Sequence, residues 1–312
     1  MKSISIKSPA TIANLVCGFD ILGLALEEPY DIMTLSLKED PGLEIQHLDD
    51  HDLPTEPEKN VAGAALLALM EEISVKHGFL LKVDKRIKPG SGLGSSAASA
   101  AGAVYAANQL LGNIFSDDDL IRFAMFGEKV ASGVKHADNI TPCLLGGVTL
   151  IRSIHPLDIV KLNAPELHIT VVHPQIEVRT SDARQILKTE VSLKQAIKQW
   201  GNIAGLVAGL MQGDHDLIGR SLEDVIIEPA RSILIPGFEE VKRRSLAAGA
   251  LGGGISGSGP SIFMLSKTKS AALEVAREME AVFQQMGIDQ KTYVTRLNHQ
   301  GIIINQDQNE IL

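Results

Sequence analysis

Three alternating glycines and a serine pair, Gly90-Ser91-Gly92-Leu93-Gly94-Ser95-Ser96, run directly into an alanine-rich segment that starts at Ala97. Such a run suits a phosphate. Alternating glycines reach left-handed conformations and let the backbone come close to a ligand, and Ser95 or Ser96 can cap a helix whose first N–H groups lack partners. The helix N-terminus adds roughly half a positive charge aimed at whatever anion lies in the loop. Two better-known glycine loops are excluded. The residue after Gly94 is Ser95, so the lysine of G-x-x-x-x-G-K-[ST] is missing, and G-x-G-x-G lacks the spacing of the dinucleotide fingerprint. Alone, the run also reads as an ordinary strand-to-helix turn.

Other polar clusters sit between apolar segments, where strands and helices would hold them. Pro9-Ala10-Thr11-Ile12-Ala13-Asn14 and Gly18-Phe19-Asp20 follow an alternating strand over residues 1–8; strand 82–87 feeds the glycine loop, and a helix over 97–111 leaves it. Asn60 opens a helical run over 61–73, and residues 40–58 read as an exposed connection. Ser116 caps a further helix that carries Glu128, and Gly133-Val134-Lys135-His136-Ala137-Asp138-Asn139 is a polar loop. After about residue 155 the pattern restarts. A strand near 167–173, helices over 193–212, 214–226 and 269–286, a second glycine-rich turn over 249–260 and strands near 261–265 and 292–297 describe an α+β unit with a mostly antiparallel sheet.

Composition narrows the classes. A chain of 312 residues divides more readily into two units than one, here taken as 1–155 and 156–312. With 29 basic against 38 acidic residues the net charge is −9, which disfavours a nucleic-acid partner. Cys17 and Cys143 lie far apart, so neither a zinc site nor a disulfide framework is suggested and a reducing, cytoplasmic setting is expected. No run approaches the ~20 apolar residues of a membrane span, so no membrane partner is expected.

Three segments taken together are more specific. Pro9-Ala10-Thr11-x-Ala13-Asn14-Leu15-x-x-Gly18-Phe19-Asp20, the loop at 90–98, and Gly252-Gly253-Gly254-Ile255-Ser256-Gly257-Ser258-Gly259-Pro260 resemble, in order and separation, the three motifs of the GHMP small-molecule kinases. Within them the chain is similar to the homoserine kinase branch. The resemblance implies an N-terminal domain like the second domain of ribosomal protein S5, and a ferredoxin-like α+β C-terminal domain. It implies a cytoplasmic homodimer that transfers a phosphoryl group from ATP, with Mg²⁺, to the hydroxyl of L-homoserine in threonine biosynthesis.

The same resemblance assigns roles. Pro89, Gly90, Ser91, Gly92, Leu93, Gly94, Ser95, Ser96 and Ala97 would wrap the triphosphate, Ser96 and Glu128 would hold Mg²⁺, and Asn60 would lie near the adenine. A free amino acid asks for an acid to meet its ammonium and guanidinium forks for its carboxylate. Asp20 beside Asn14 supplies the first; Arg184, within Thr180-x-x-x-Arg184, and Arg231 supply the second. His136 and Asn139 would orient the hydroxyl. Asp138 is the candidate base and Lys85 a candidate phosphate contact, although a loose phosphoryl-transfer transition state needs little base. By residue type alone, Glu128 reads first as a solvated helix carboxylate, Asn60 as a cap and each arginine as a surface ion-pair partner, while Lys85 is as readily an exposed strand lysine. A GHMP kinase for another alcohol, mevalonate-like or shikimate, and a non-catalytic ligand sensor are the alternatives.

Overall fold

The computed structural model describes residues 2–73, 77–178 and 180–306. The alternating start forms β1 (Ser3–Ala13), which pairs antiparallel with β2 (Leu22–Lys38). Pro9 to Ala13, read above as a polar cluster after the strand, continue it. The register shifts between Pro9 and Thr11, and a proline is tolerated at such an irregularity, where no ladder N–H is required of it. β3 (Leu43–His47) lies inside the segment expected to be an exposed connection; it leads through α1 (Val61–Glu71) to β4 (Gly78–Asp84), parallel to it.

α2 (Ser95–Leu111) follows the glycine loop, then α3 (Asp117–Ser132), capped by Ser116 as expected and closed by a reciprocal bond with Asp119, and α4 (Ile140–Leu145). A hairpin of β5 (Val148–Ile154) and β6 (Leu157–Leu162) completes this unit. The small residues of α2 let it sit deep against the sheet: a Cβ on Gly102 would lie 2.5 Å from Met33 Sδ.

The second unit begins with β7 (His168–Pro174), α5 (Thr180–Gln185) and α6 (Leu193–Gln212). α7 (His215–Ser221) stops five residues short of the helix expected over 214–226, and α8 (Glu228–Arg231) and α9 (Phe238–Ala247) follow. β8 (Gly252–Ile255), β9 (Ile262–Ser266), α10 (Lys269–Gln285) and β10 (Gln290–Arg296) complete an antiparallel sheet of order β10-β7-β9-β8. β11 (Ile303–Ile304) then returns to the edge of the first sheet, beside β1, in the order β11-β1-β2-β4-β3, with β5 on β2 and β6 on β5.

This is the two-unit α+β architecture that the resemblance implies. The 155/156 division falls in the turn of the β5–β6 hairpin, whose strands both belong to the first sheet. Because splitting a hairpin strands its ladder, we propose the division after Leu162. One apolar cluster joins the units, running from Ile6, Leu24 and Val104 to Ile169, Val171 and Phe263; a smaller one, with Phe238, Met279 and Phe283, lies beneath α9 and α10. Among the described residues no helix is long and apolar enough to cross a membrane.

Candidate active site

The glycine loop takes the backbone shape its composition allows. Gly90, Gly92 and Gly94 have φ of +74°, +81° and +65°. At two of them a side chain is also sterically excluded: a Cβ would lie 2.6 Å from Ser256 O at Gly92 and 1.9 Å from Thr11 Oγ1 at Gly94. Gly94 is the N-cap of α2, and no side chain caps the helix. The serine cap expected from the sequence is therefore replaced. Ser95 and Ser96 fall inside the first turn; Ser95 Oγ donates to Ile87 O and Ser96 Oγ to Glu128 Oε2, each at 2.8 Å. No side-chain hydrogen bond caps the first-turn amides of α2, which have no intrahelical acceptor.

Pro89, Gly90, Gly92, Gly94, Ser95 and Ser96 line a cavity of about 370 Å³. Ser91, Leu93 and Ala97 do not, because their side chains are buried behind the loop. Ser91 and Leu93 serve through their carbonyls, which accept from Ser261 N at 3.2 Å and Thr11 N at 3.1 Å. The third glycine motif thus packs its backbone on the cradle, and Ser256 Oγ donates to Gly92 O at 2.7 Å.

Glu128 lines the same cavity. Burial pushes its carboxyl above the usual range, against the hydrogen bond from Ser96. A hydroxyl and a carboxylate joined at an open helix N-terminus are hard oxygen donors of the kind Mg²⁺ takes alongside waters and phosphate oxygens, so the pair fits that ion. Among the described residues no group of three or more His, Cys, Asp and Glu forms a larger cage.

One expected ligand contact is corrected. Lys85 reaches the cavity wall, but its ammonium is spent: Nζ donates to Asp31 Oδ2 at 2.6 Å, Ser95 O at 2.9 Å and Ser99 Oγ at 2.8 Å. An ammonium has three donors, so none is left to meet a phosphate. Asn60 is the N-cap of α1. Its Oδ1 accepts from Ala62 N and Gly63 N, while Nδ2 donates to Pro54 O at 2.6 Å and meets His47 Nε2 at 3.3 Å. Asn60 itself lines the cavity, and it fixes Pro54 and His47 in the wall.

At the other end of the cavity, Asn14, Leu15 and Val16 turn left-handed in succession, as does Asp20. Asn14 Oδ1 accepts from Asp20 N at 3.0 Å and its Nδ2 donates to Gly257 O at 2.9 Å, so one side chain closes the turn and ties it to the third motif. Arg184 Nη2 donates to both Asp20 oxygens, at 3.1 and 3.2 Å. Arg231 is buried; its Nε donates to Ala183 O at 2.9 Å and Nη1 to Gly257 O at 3.0 Å. Burial and the neighbouring Arg184 lower its pKa to about 10, which leaves it charged at neutral pH.

His136 Nδ1 lies 3.8 Å from Asp20 Oδ1. Burial pushes its imidazole below the ordinary range against the pull of Asp20, with Arg184 adding to the effect. Asn139 Oδ1 accepts from Thr11 Oγ1 at 2.7 Å, beside Gly94. Asp138 is buried, and burial together with Asp20 and Glu128 raises its pKa to about 7. The backbone there is tight: a Cβ on Gly23 would lie 1.8 Å from Asp138 O. Thr180 opens α5, and its side chain lies outside the described residues.

Sequence reasoning overlooked Phe19 and Asp31. Both guanidinium groups lie over the Phe19 ring, Arg231 at 4.9 Å and Arg184 at 5.6 Å from its centroid. Phe19 stands inside the first motif, and its place between glycine and aspartate was the available signal. Asp31 is fully buried and accepts from Lys85 Nζ, Arg86 N and Ile87 N, which fixes the entry to the cradle. A lone aspartate in a strand gave no hint of this.

The chain resembles known proteins over nearly its whole length. A model of the GHMP kinases N terminal domain matches residues 60–147, and one of the GHMP kinases C terminal matches 206–285. The chain is 45% identical to a homoserine kinase of Chloroherpeton thalassium over 92% of this chain and 94% of that one. It is 37% identical to a homoserine kinase of Methanocella arvoryzae over 99% and 100%. The crystal structure of homoserine kinase from Cytophaga hutchinsonii superposes with a TM-score of 0.94 at 49% identity, covering 98% of each chain. With its three motifs gathered around one cavity and its relatives matching from end to end, the chain belongs to the GHMP kinases, in their homoserine kinase family.

Proposed function

We propose that the protein is an ATP-dependent kinase that phosphorylates the side-chain hydroxyl of L-homoserine in the cytoplasm, and that it works as a homodimer. The observation that carries this reading is one cavity that has an uncapped helix N-terminus among left-handed glycines at one wall and the Asp20, Arg184 and Arg231 charge set at another. Helix-end amides and the positive end of a helix dipole suit a polyphosphate, and an acid paired with one guanidinium group, with a second over the same Phe19 ring, suits a zwitterion.

In this reading the amides of Gly90–Ala97 hold the phosphates, and Ser96 with Glu128 holds Mg²⁺, which would neutralise charge on the transferring group. Asp20 takes the substrate ammonium while Arg184 and Arg231 take its carboxylate, with Phe19 holding both guanidinium groups in place. Asn139 and neutral His136 orient the hydroxyl. Asp138, whose pKa of about 7 lies near the working pH, accepts the hydroxyl proton. Lys85 keeps a positioning role through Ser95 O and Ser99 Oγ.

The test is ADP release from Mg-ATP with a panel of alcohols. Homoserine is expected to exceed mevalonate, galactose and shikimate by at least about a hundredfold in kcat/KM, since a site built for both charges strands them when either is missing. Equal turnover across the panel would reject the assignment.

A further inference from the structure

α6 is apolar on two faces. Gln199, Leu206, Gly209 and Leu210 are buried on one, against the body of the protein. The opposite side carries Leu193, Ile197, Trp200, Ala204 and Met211, with half-buried Val207 at its edge packing also on the main apolar cluster; the six are spaced by four, three, four, three and four residues. Leu193 is 68% exposed, Ile197 57%, Trp200 59% and Met211 50%. A surface helix normally carries one apolar stripe and a polar back. A second stripe at heptad spacing, holding the chain's single tryptophan, is a seam without its partner strand.

We infer that this stripe is where two copies of the chain associate, through an antiparallel α6 pair related by a two-fold axis near Asn202. The stripe itself argues for a second copy. An axis at that residue sets Trp200 of one copy against the small Ala204 of the other, Ile197 against Val207, and Leu193 against Met211, so large and small side chains interlock in an isologous contact. Charge selects the antiparallel sense. Lys194 lies in the first turn, while the helix ends in carbonyls carrying the negative end of the dipole, with Asp216 exposed just beyond. Antiparallel pairing brings Lys194 toward that acidic end, whereas parallel pairing would set Lys194 against its own copy. A lipid surface fits less well: the chain's net charge is −9, and Lys198 on the same helix is engaged with Glu223 at 2.6 Å.

The inference gives the homodimer of the functional reading a surface, and so rests on that part of it; its test measures mass and leaves the kinase assignment untouched. Sedimentation of the full chain between about 1 and 50 µM is expected to give twice the chain mass for the native protein. Ile197→Lys should weaken association by roughly a hundredfold or more and red-shift the Trp200 emission, with an unchanged far-UV circular dichroism spectrum showing that it folds. Lys194→Glu should weaken it by about tenfold, and adding Asp216→Lys should recover most of that loss. A native protein at single-chain mass at 50 µM overturns the proposal. So does an Ile197→Lys protein that keeps the double mass and the native emission, or a monomer that sediments with vesicles of anionic lipid. Failure of Asp216→Lys to rescue Lys194→Glu rejects the antiparallel register.

Discussion

Two buried charged side chains near the cradle do opposite work, and their neighbours decide which. Lys85 and Asp31 are an ion pair with almost no exposure, and the lysine's remaining donors are also satisfied. Lys85→Met leaves Asp31 charged and short of a partner, which costs about 3–5 kcal/mol when a buried pair is broken. Urea unfolding at neutral pH should show that loss, with kcat falling only as far as the cradle shifts. Asp138 has the reverse balance. Its folded pKa of about 7 lies above the ordinary aspartate value of 3.8, so the native state holds a proton that the unfolded chain releases first. Any stability from that difference is present below pH 4 and is lost as the pH rises toward 7. Asp138→Asn should therefore raise stability at pH 8 by roughly 2–4 kcal/mol relative to pH 4 while lowering kcat by about a hundredfold or more. Denaturant midpoints and turnover at the two pH values check both halves. An unchanged kcat would remove Asp138 from the chemistry.

At the scale of elements, α2 and its approach decide whether phosphate can bind. Gly94 needs both a positive φ and the absence of a Cβ, whereas a Cβ on Gly90, with a similar φ, would meet nothing within 4 Å. Gly90→Ala thus carries only the left-handed strain of roughly 1 kcal/mol, while Gly94→Ala must also displace Thr11. The second is expected to raise KM for ATP by at least about tenfold more than the first, measured side by side. Sequence patterning announced α2, α3, α6 and α10, because their caps and 3.6-residue periods are local. It announced the cradle as well, since glycine at alternate positions has few other uses. It concealed β3, whose half-buried residues lie between acidic and proline-rich stretches, and it credited Ser95 and Ser96 with a capping role that Gly94 fills. Lys85 misled for a related reason: what its ammonium binds is set by Asp31, which no spacing rule connects to it.

For the molecule as a whole, the two sheets share a continuous apolar cluster and a web of side-chain-to-backbone hydrogen bonds around the third motif. Calorimetry should therefore give one cooperative transition, and two resolved peaks would contradict this coupling. The convergence of distant segments was legible only through their motifs as a set; residue by residue, nothing in positions 20 and 184 tells that they meet. Asp20 comes from the turn between strands of the first sheet and Arg184 from a short helix after the first strand of the second, and the structure holds them in contact. That clasp behaves as a lock with two keys. A visitor carrying only an amine frees the arginine and strands it, and one carrying only an acid does the same to the aspartate. A molecule bearing both charges on one carbon can part the two and satisfy each, so recognition of an amino acid is a coincidence test posed before any phosphate moves.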